Sequence, residues 1–235
     1  SAASDVYKRQ VPVLRIGNPS RVNDKMLSFT YERRFEGHPA YAELWGIRKS
    51  IREMGNRMRK SSYSEREAAR SRINHLRERA TELEIQINED LFSGARVIAS
   101  TLVSSNHRIL TGRRFTTLFI DEAAQALEAA CWIAIRKADR VIFAGDHCQL
   151  PPTIKCIEAA RNGLEQTLME KVAANKQETV SLLKVQYRMH QSIMQFSSEW
   201  FYQGELQAAP EVTNRGILDL DPVSYTHLTL PTSDL

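Results

Sequence analysis

Cysteine is scarce in this 235-residue sequence, which contains three, at Cys131, Cys148 and Cys156. They form no CxxC pair, which excludes a disulfide scaffold and favours a reducing compartment, so we expect a cytoplasmic protein. Long apolar runs are also missing, because no stretch reaches the roughly 18 residues that a membrane span needs. The hydrophobic share of 42% still allows a packed core and excludes wholesale disorder.

Charge of one sign does not dominate the sequence. Lys and Arg number 32 against 28 Asp and Glu, a formal net charge of +4. This balance permits a polyanionic partner such as nucleic acid without requiring one. The length predicts one large domain, or one domain and part of another.

Both ends carry sequence that we predict to be foreign. Residues 2–10, AASDVYKRQ, are the translation of the DNA GCAGCGTCAGATGTGTATAAGAGACAG, and residues 223–230, VSYTHLTL, are a translation of its reverse complement. We therefore expect residues 1–10 and 223–235 to derive from a sequencing-library adapter, which carries no information on the fold. The native segment is expected to run from about Val11 to Pro222 and to be truncated at both ends.

Two stretches with helical apolar spacing lie between Tyr41 and Leu91. The apolar residues of each stretch are separated by steps of three and four, and Ser61–Ser64 is predicted to be the turn between the stretches. The first set is Tyr41, Leu44, Ile47, Ile51, Met54 and Met58, and the second is Ile73, Leu76, Ala80, Leu83, Ile87 and Leu91. This spacing predicts two long helices in an antiparallel hairpin. The narrow apolar seam and charged remainder predict a protruding arm. Its basic residues fit either a solvated helix surface or a nucleic-acid clamp.

Short apolar runs elsewhere predict buried strands that alternate with helices. The runs are Val11–Ile16, Arg96–Thr101, Thr116–Ile120, Arg140–Ala144 and Ser181–Val185, with a helical stretch at Ala123–Ala138. Alternation of this kind predicts an α/β fold built on a parallel sheet.

Carboxylates follow two of these predicted strands. Asp121 and Glu122 follow the strand in TTLFIDEAAQ, and Asp146 follows the strand in RVIFAGDHCQLPP. Ligands bind at the carboxyl edge of open parallel sheets, where an Asp can hold Mg²⁺ and a neighbouring carboxylate can activate water. Taken alone, Asp121 and Glu122 are more typical of an acidic helix start. His147 and Cys148 do not predict a zinc site, because zinc needs about four ligands and no second cluster exists.

The segment VQYRMH, residues 185–190, follows the last predicted strand. Arg188 is a candidate arginine finger, a permanently charged donor that can stabilise a transferring phosphoryl group. The alternative is an arginine paired with an acid at a helix start.

DEAAQ, GDHCQLPP and QYRMH, in this order and at these separations, resemble motifs II, III and IV of superfamily 1 helicases. More narrowly, they resemble the 5′→3′ branch that contains the nonsense-mediated-decay helicase and its bacterial relatives. The resemblance implies a RecA-like P-loop NTPase sheet with the helical hairpin inserted, followed by the start of a second RecA-like domain. We expect the first domain at residues 11–153, its arm at about 35–92, and the second domain at 154–222.

The resemblance also implies site residues, with ATP and Mg²⁺ as cofactors and single-stranded DNA or RNA as partner. Asp121 would hold Mg²⁺, Glu122 would be the general base, and Gln149 would sense the γ-phosphate. Arg188 would reach the same phosphate, while Gln125 and Asp146 would support this network. The nucleic-acid backbone would be contacted by Ser100 and Thr101, with Arg21 as a further candidate.

One motif that the resemblance leads us to expect is missing. No GxxxxGK[ST] loop, which cradles phosphates through its backbone and Lys, occurs in the sequence. We therefore expect an ATP-dependent helicase as the intact protein and no activity from these 235 residues alone. The alternatives are a ribonucleoprotein-remodelling ATPase without processive unwinding and a non-catalytic nucleic-acid-binding module.

Overall fold

The computed structural model describes residues 11–58 and 63–213 and divides them into two compact units. Unit 1 comprises residues 11–121 and 127–143, and unit 2 comprises residues 122–126 and 144–213. Both segments that we predict to be adapter-derived lie outside the described residues. The domain boundary expected near Thr153 and the arm expected at about 35–92 stay predictions.

Unit 1 is an α/β structure that contains two pairs of parallel strands. β1 pairs with β2 and β3 with β4, with Ile120 opposite Phe143 at the carboxyl end of the second pair. Parallel neighbours need long crossovers, and helices supply them here. The α-helices and strands of the unit in chain order are β1 (Val13–Ile16), α1 (Asp24–Leu27), α2 (Tyr31–Glu36), α3 (Tyr41–Arg57), α4 (Tyr63–Ser93), β2 (Val97–Ser100), β3 (Phe115–Ile120), α5 (Glu128–Ile135) and β4 (Ala138–Phe143).

Helices α3 and α4 confirm the two long helices that the apolar spacing predicts. Leu44, near the start of α3, packs with Leu83 and Ile87, near the end of α4, so the two helices run antiparallel. All three side chains are at most 1% exposed. Ion pairs flank this apolar seam on the exposed side, including Arg48 with Glu84 at 2.5 Å.

A second apolar cluster ties the end of α4 to the first pair of strands. Leu14 and Ile16 of β1 are buried against Phe92 and against Leu110, which lies in a short 3₁₀ turn after β2. Burial of these side chains fixes which face of β1 points inward, because a shift of one residue would turn Leu14 and Ile16 outward.

Unit 2 combines short helices with one pair of short parallel strands. β5 pairs with β6 through Val185 opposite Gln207. The elements of the unit are a 3₁₀ turn (Ala123–Gln125), α6 (Ile157–Ala159), a π-helical turn (Ala160–Leu164), α7 (Leu168–Asn175), a second 3₁₀ turn (Gln177–Thr179), β5 (Val185–Gln186), α8 (Gln191–Phe201), β6 (Gln207–Ala208) and α9 (Pro210–Thr213).

Three sequence-based expectations differ from the structure. The strand expected at Ser181–Val185 is restricted to β5, and Leu183 is 88% exposed, so this apolar run does not lie in a buried ladder. The helix expected at Ala123–Ala138 is broken, because Ala126 and Leu127 adopt extended backbone angles between the 3₁₀ turn and α5. The described residues form three two-stranded parallel sheets rather than one continuous sheet.

Two tryptophans on helices are exposed rather than buried. Trp132 on α5 is 48% exposed and Trp200 on α8 is 72% exposed. Within residues 11–58 and 63–213, no helix combines the length and the apolar composition that crossing a membrane would require.

Candidate functional site

Polar segments follow both strands of the β3–β4 pair. Because the strands are parallel and Ile120 lies opposite Phe143, the chain leaves both strands at the same edge of the sheet. Asp121 follows β3 directly, and residues 144–146 follow β4. This edge is where open parallel sheets place their ligands.

Glu122 has a left-handed backbone, with φ 52° and ψ 40°. Such angles are uncommon for residues other than Gly, Asn and Asp, and they persist only where the surroundings hold them. The turn that follows is anchored by the buried Ala123, whose N–H donates to the carbonyl oxygen of Ala144 over 2.9 Å. Gln125 closes the turn through its N–H, which donates to the carbonyl of Glu122 at 2.9 Å, and its side chain is exposed. These two hydrogen bonds hold the tight turn, and with it the left-handed backbone of Glu122.

Gly145 lies where two backbone segments and a side chain meet. A Cβ atom at this position would lie 3.0 Å from the nitrogens of Ala123 and Ala124 and 3.0 Å from Sδ of Met169. These separations are shorter than ordinary van der Waals contacts, and two of the three neighbours are backbone atoms that cannot rotate away. A glycine at this position therefore permits the close approach of the segments that follow β3 and β4.

Asp146 accepts three hydrogen bonds. The amide Nε2 of Gln149 donates to its Oδ2 at 2.8 Å, and the N–H of Cys148 donates to Oδ1 at 3.0 Å. The third donor is the hydroxyl of Tyr202, which also reaches Oδ2. Burial alone would raise the pKa of Asp146, but these donors outweigh it and hold the pKa below its usual value.

Within the part of the chain that the structure describes, Asp146, His147 and Cys148 also bring possible metal-ligating atoms within 4.8 Å of one another. The contacts of these side chains do not favour a metal ion. The oxygens of Asp146 are already engaged, and burial and the charge of Asp146 raise the pKa of the Cys148 thiol. A thiol with a raised pKa resists the deprotonation that metal binding requires.

Arg188 lies in a turn between β5 and α8 that the side chain of Gln186 organises. The Oε1 atom of Gln186 accepts from the N–H groups of Arg188 and Met189 at 2.8 and 2.9 Å, and its Nε2 donates to the carbonyl of Met189 at 2.7 Å. His190 caps α8 by accepting from the N–H of Ser192 at 3.0 Å. The guanidinium-bearing side chain of Arg188 is exposed. Sequence reasoning assigned no role to Gln186, although it stands two residues before Arg188 in the quoted motif.

The structure joins some of the expected site residues and separates others. Asp146 and Gln149 are in direct contact. Arg188 precedes α8, whereas Tyr202, which touches Asp146, directly follows it. An 11-residue helix, about 16 Å long, therefore lies between Arg188 and the contact at Asp146.

Two of the three residues expected to contact nucleic acid lie at the end of β2. Ser100 and Thr101 line, together with Asp121, one cavity of about 840 Å³ in unit 1. The hydroxyl of Thr101 is engaged locally, since it accepts from the N–H of Ser104 at 3.2 Å and donates to the hydroxyl of Ser104 at 2.8 Å. Arg21 ends a 3₁₀ turn, Pro19–Arg21, and its side chain lies outside what the structure describes.

Sequence reasoning missed Tyr202 entirely. Its partner Asp146 is 56 residues away in the sequence, and no local spacing encodes a contact across that separation. The only signal available is that Tyr202 falls within SSEWFYQGELQ, residues 197–207, which resembles the segment after motif IV in the same family.

Comparisons with known proteins agree with the resemblance that the motifs suggest. A family model described as AAA domain matches residues 2–156, and a second model with the same description matches residues 164–232. The rat (Rattus norvegicus) DNA-binding protein SMUBP-2 is 34% identical over 223 residues, which are 92% of this chain and 23% of the relative.

Two further relatives are named for helicase activity or for transcript regulation. The Schizosaccharomyces pombe DNA polymerase alpha-associated DNA helicase A is 32% identical over 93% of this chain and 33% of its own length. The Drosophila melanogaster regulator of nonsense transcripts 1 homolog is 41% identical over 50% of this chain and 10% of its own length. The chain thus spans at most about a third of each of these relatives. Since the AAA-domain models cover most of its residues, the chain belongs to the superfamily 1 helicase family.

Proposed function

We propose that the intact protein is an ATP-dependent helicase that moves along single-stranded DNA or RNA and unwinds duplexes. Residues 11–222 would supply parts of two RecA-like motor domains, with the α3–α4 hairpin inserted in the first. Family membership supports this proposal, as do relatives whose names include DNA helicase A and regulator of nonsense transcripts.

The observation that carries the proposal is the shared end of β3 and β4. The two parallel strands end in register, so the carboxylate-bearing segments that follow them begin at one edge of the sheet. In the first of these segments Glu122 has a left-handed conformation. Backbone strain of this kind concentrates at functional sites. A structural acidic helix start would not require it.

The side chains at this edge fit part of a magnesium–ATP site. Asp121 and Glu122 are exposed carboxylates, and carboxylate oxygens are ligands that Mg²⁺ prefers. Asp146 fits a supporting role better than a ligand role, because both of its oxygens already accept hydrogen bonds. When bound, magnesium–ATP supplies the phosphoryl group that water attacks.

The chain's own residues would orient and deprotonate that water and compensate charge. Asp121 would hold the cation and Glu122 would accept the proton of the attacking water. Gln149 keeps one amide N–H and its carbonyl for a ligand, since its other N–H is donated to Asp146. Arg188, on the exposed turn before α8, would provide positive charge to the γ-phosphate, and Gln125 would support the acidic turn.

Nucleic-acid contacts are proposed for Ser100, Thr101 and Arg21. Ser100 and Thr101 are exposed at the end of β2, where hydroxyl groups can bind phosphates without reading sequence. The hydroxyl of Thr101 is already shared with Ser104, so Ser100 is the freer of the two for this task. The arm is proposed to lie beside the bound strand.

The test is Glu122→Gln in the intact protein, with Glu158→Gln as a matched control. Glu158 is an exposed acid on α6 and has no role in the proposed chemistry. We expect Glu122→Gln to retain ATP binding and to lose nearly all nucleic-acid-stimulated hydrolysis, because the amide cannot accept the proton. Full turnover by this variant would contradict the motor function and favour a non-catalytic binding module.

Strand displacement separates the remaining alternatives. An intact protein that hydrolyses ATP and displaces proteins from RNA, but separates no duplex, would be a remodelling ATPase. We expect the 235 residues alone to hydrolyse no ATP, since they contain no GxxxxGK[ST] loop. ATP hydrolysis by this chain that is stimulated by DNA or RNA would overturn that expectation.

A further inference from the structure

Tyr202 occupies the point where α8 ends and contacts the segment that follows β4. It is the C-terminal cap residue of α8 and is partly buried. Its hydroxyl donates a hydrogen bond to Oδ2 of Asp146. Beside it, the thiol of Cys148 donates to the carbonyl oxygen of Phe201 at 3.7 Å. The two segments therefore meet through consecutive residues of α8 and its cap.

Tyr202 and Gln149 share the same carboxylate oxygen. Both donate to Oδ2 of Asp146, while the N–H of Cys148 donates to Oδ1. Together the three donors fix the rotation of the carboxyl group. The position of Oδ2 then sets where the amide of Gln149 can lie.

The carboxylate also determines which way round that amide points. An ionised carboxyl group only accepts hydrogen bonds, so it holds the NH₂ group of Gln149 toward itself and leaves the carbonyl oxygen on the other side. Hydrogen bonds from Tyr202 and Gln149 keep the pKa of Asp146 low despite its burial. Burial and the neighbouring Asp146 raise the pKa of Tyr202, which therefore stays a neutral donor.

We propose that Tyr202 is a positioning residue that acts through Asp146 to set the location and orientation of the Gln149 side chain. The proposal rests on the proposed function in one respect, the role of Gln149 at the nucleotide. It adds that α8 carries a residue of the site at each end, with Arg188 before its start and Tyr202 at its close. A displacement of α8 at the Arg188 end would therefore also displace Tyr202 at the other end, because one helix joins them.

The first experiment uses the 235-residue chain without nucleotide. We compare Tyr202→Phe with Tyr63→Phe, which removes the hydroxyl of a tyrosine that is 82% exposed on α4. The readout is the side-chain amide signal of Gln149 in a ¹⁵N–¹H NMR spectrum, assigned by its loss in Gln149→Ala. We expect Tyr202→Phe to move this signal and to speed exchange of its protons with water, and Tyr63→Phe to leave it unchanged.

A second variant keeps the test decisive if Tyr202→Phe does not fold. Asp146→Asn retains the shape of the carboxyl group but lets Gln149 turn over, so it too is expected to move the signal. The proposal would be overturned if the Gln149 signal were the same in every folded variant of Tyr202 and Asp146 as in the original chain. This outcome does not depend on the ATPase activity of the intact protein.

The second experiment uses the intact protein and a double-mutant cycle. We expect Tyr202→Phe to lower kcat for ATP hydrolysis by roughly ten- to a hundredfold, since small displacements of a positioned group have effects of this size, with a smaller change in KM. In a Gln149→Ala background, Tyr202→Phe should have no further effect, because its route through Gln149 is gone.

The two failures give different results. Additive effects of Tyr202→Phe and Gln149→Ala on kcat would overturn the positioning role, because Tyr202 would then act independently of Gln149. A displaced Gln149 signal together with unaltered turnover in Gln149→Ala would leave the positioning role supported and would contradict the proposed nucleotide contact of Gln149.

Discussion

The α3–α4 hairpin and the Asp146 cluster, by which we mean Asp146, Cys148, Gln149 and Tyr202, are held together in opposite ways. The hairpin buries an apolar seam around Leu83 and leaves its ion pairs exposed. The Asp146 cluster is polar and depends on a single carboxyl group with three donors. In the hairpin the buried apolar side chains determine stability. In the Asp146 cluster the positions of the hydrogen-bonded atoms determine where the Gln149 side chain lies.

Removing a seam side chain is the strongest way to break the hairpin. Leu83→Ala deletes a side chain that is 1% exposed and packed in the cluster with Leu44 and Ile87. We expect a loss of about 2–5 kcal/mol in the free energy of unfolding, since both transfer energy and packing are lost. Denaturant unfolding of the 235-residue chain measures it.

The control for this change lies two residues along the same helix. Ile85 is 57% exposed, so Ile85→Ala should change the free energy of unfolding far less. Equal losses for Leu83→Ala and Ile85→Ala would show that the seam does not support the hairpin.

Acid should weaken the Asp146 cluster, and Asp146→Asn should remove that dependence. The pKa of Asp146 is lowered in the folded chain, below the unfolded value of about 3.9. Between these two values the unfolded chain binds more protons, so the contribution of Asp146 is present above about pH 4. It is lost as pH falls through the folded pKa.

A hydrogen bond to a charged group stabilises a fold by about 1.5–3 kcal/mol, and the burial of Asp146 offsets part of this gain. Denaturant unfolding of the original chain and of Asp146→Asn, followed from pH 7 to about pH 2, should give a difference that shrinks in acid. A difference that stays constant over this range would mean that the ionised carboxylate is not what stabilises the cluster.

The hairpin and the Asp146 cluster also differ in how far they could be predicted from the sequence. The hairpin follows from local spacing, because each apolar residue of α3 and α4 signals its face within one or two turns. Strands β1 to β4 were likewise predicted within a few residues, since compact β-branched runs are local signals. The run at Ser181–Val185 is also short and largely apolar, yet it lies largely outside a ladder, because strand pairing depends on a neighbour that composition does not reveal.

The candidate site was predicted by resemblance rather than by spacing, and only in part. Motif residues such as Asp121, Glu122 and Gln149 could be named, but their roles stay predictions. The contact between Tyr202 and Asp146 could not be foreseen, because it joins residues far apart in the sequence. Nor does composition predict the left-handed backbone of Glu122, which tertiary contacts impose on a residue that does not favour it.

A smaller effect on the free energy of unfolding is expected at the start of α7, where the N-cap residue is both hydrogen-bonded and buried. Thr167 is fully buried and forms a capping box with Glu170, since its hydroxyl accepts from the N–H of Glu170 at 3.2 Å and its own N–H donates to Oε2 at 2.7 Å. Thr167→Ala should lower the free energy of unfolding by about 1 kcal/mol.

Thr167→Ser is the matched variant for this cap, because it keeps the hydroxyl and removes only a methyl group. We expect Thr167→Ser to retain most of the stability that Thr167→Ala loses, as measured by denaturant unfolding. If both variants lost the same amount, packing of the methyl group rather than capping would hold the start of α7.

The smallest effect is expected from an ion pair across the hairpin. Arg48 and Glu84 are joined at 2.5 Å, yet their side chains are 46% and 37% exposed. Solvent screens such a pair, and ordering two long side chains offsets part of the attraction, so Glu84→Gln should change the free energy of unfolding by about 0.2–1 kcal/mol. Added salt should reduce even this difference, while Glu67→Gln, an exposed acid on the same helix, should change nothing measurable. A loss for Glu84→Gln as large as that for Leu83→Ala would reverse the comparison, because charge rather than buried volume would then stabilise the hairpin.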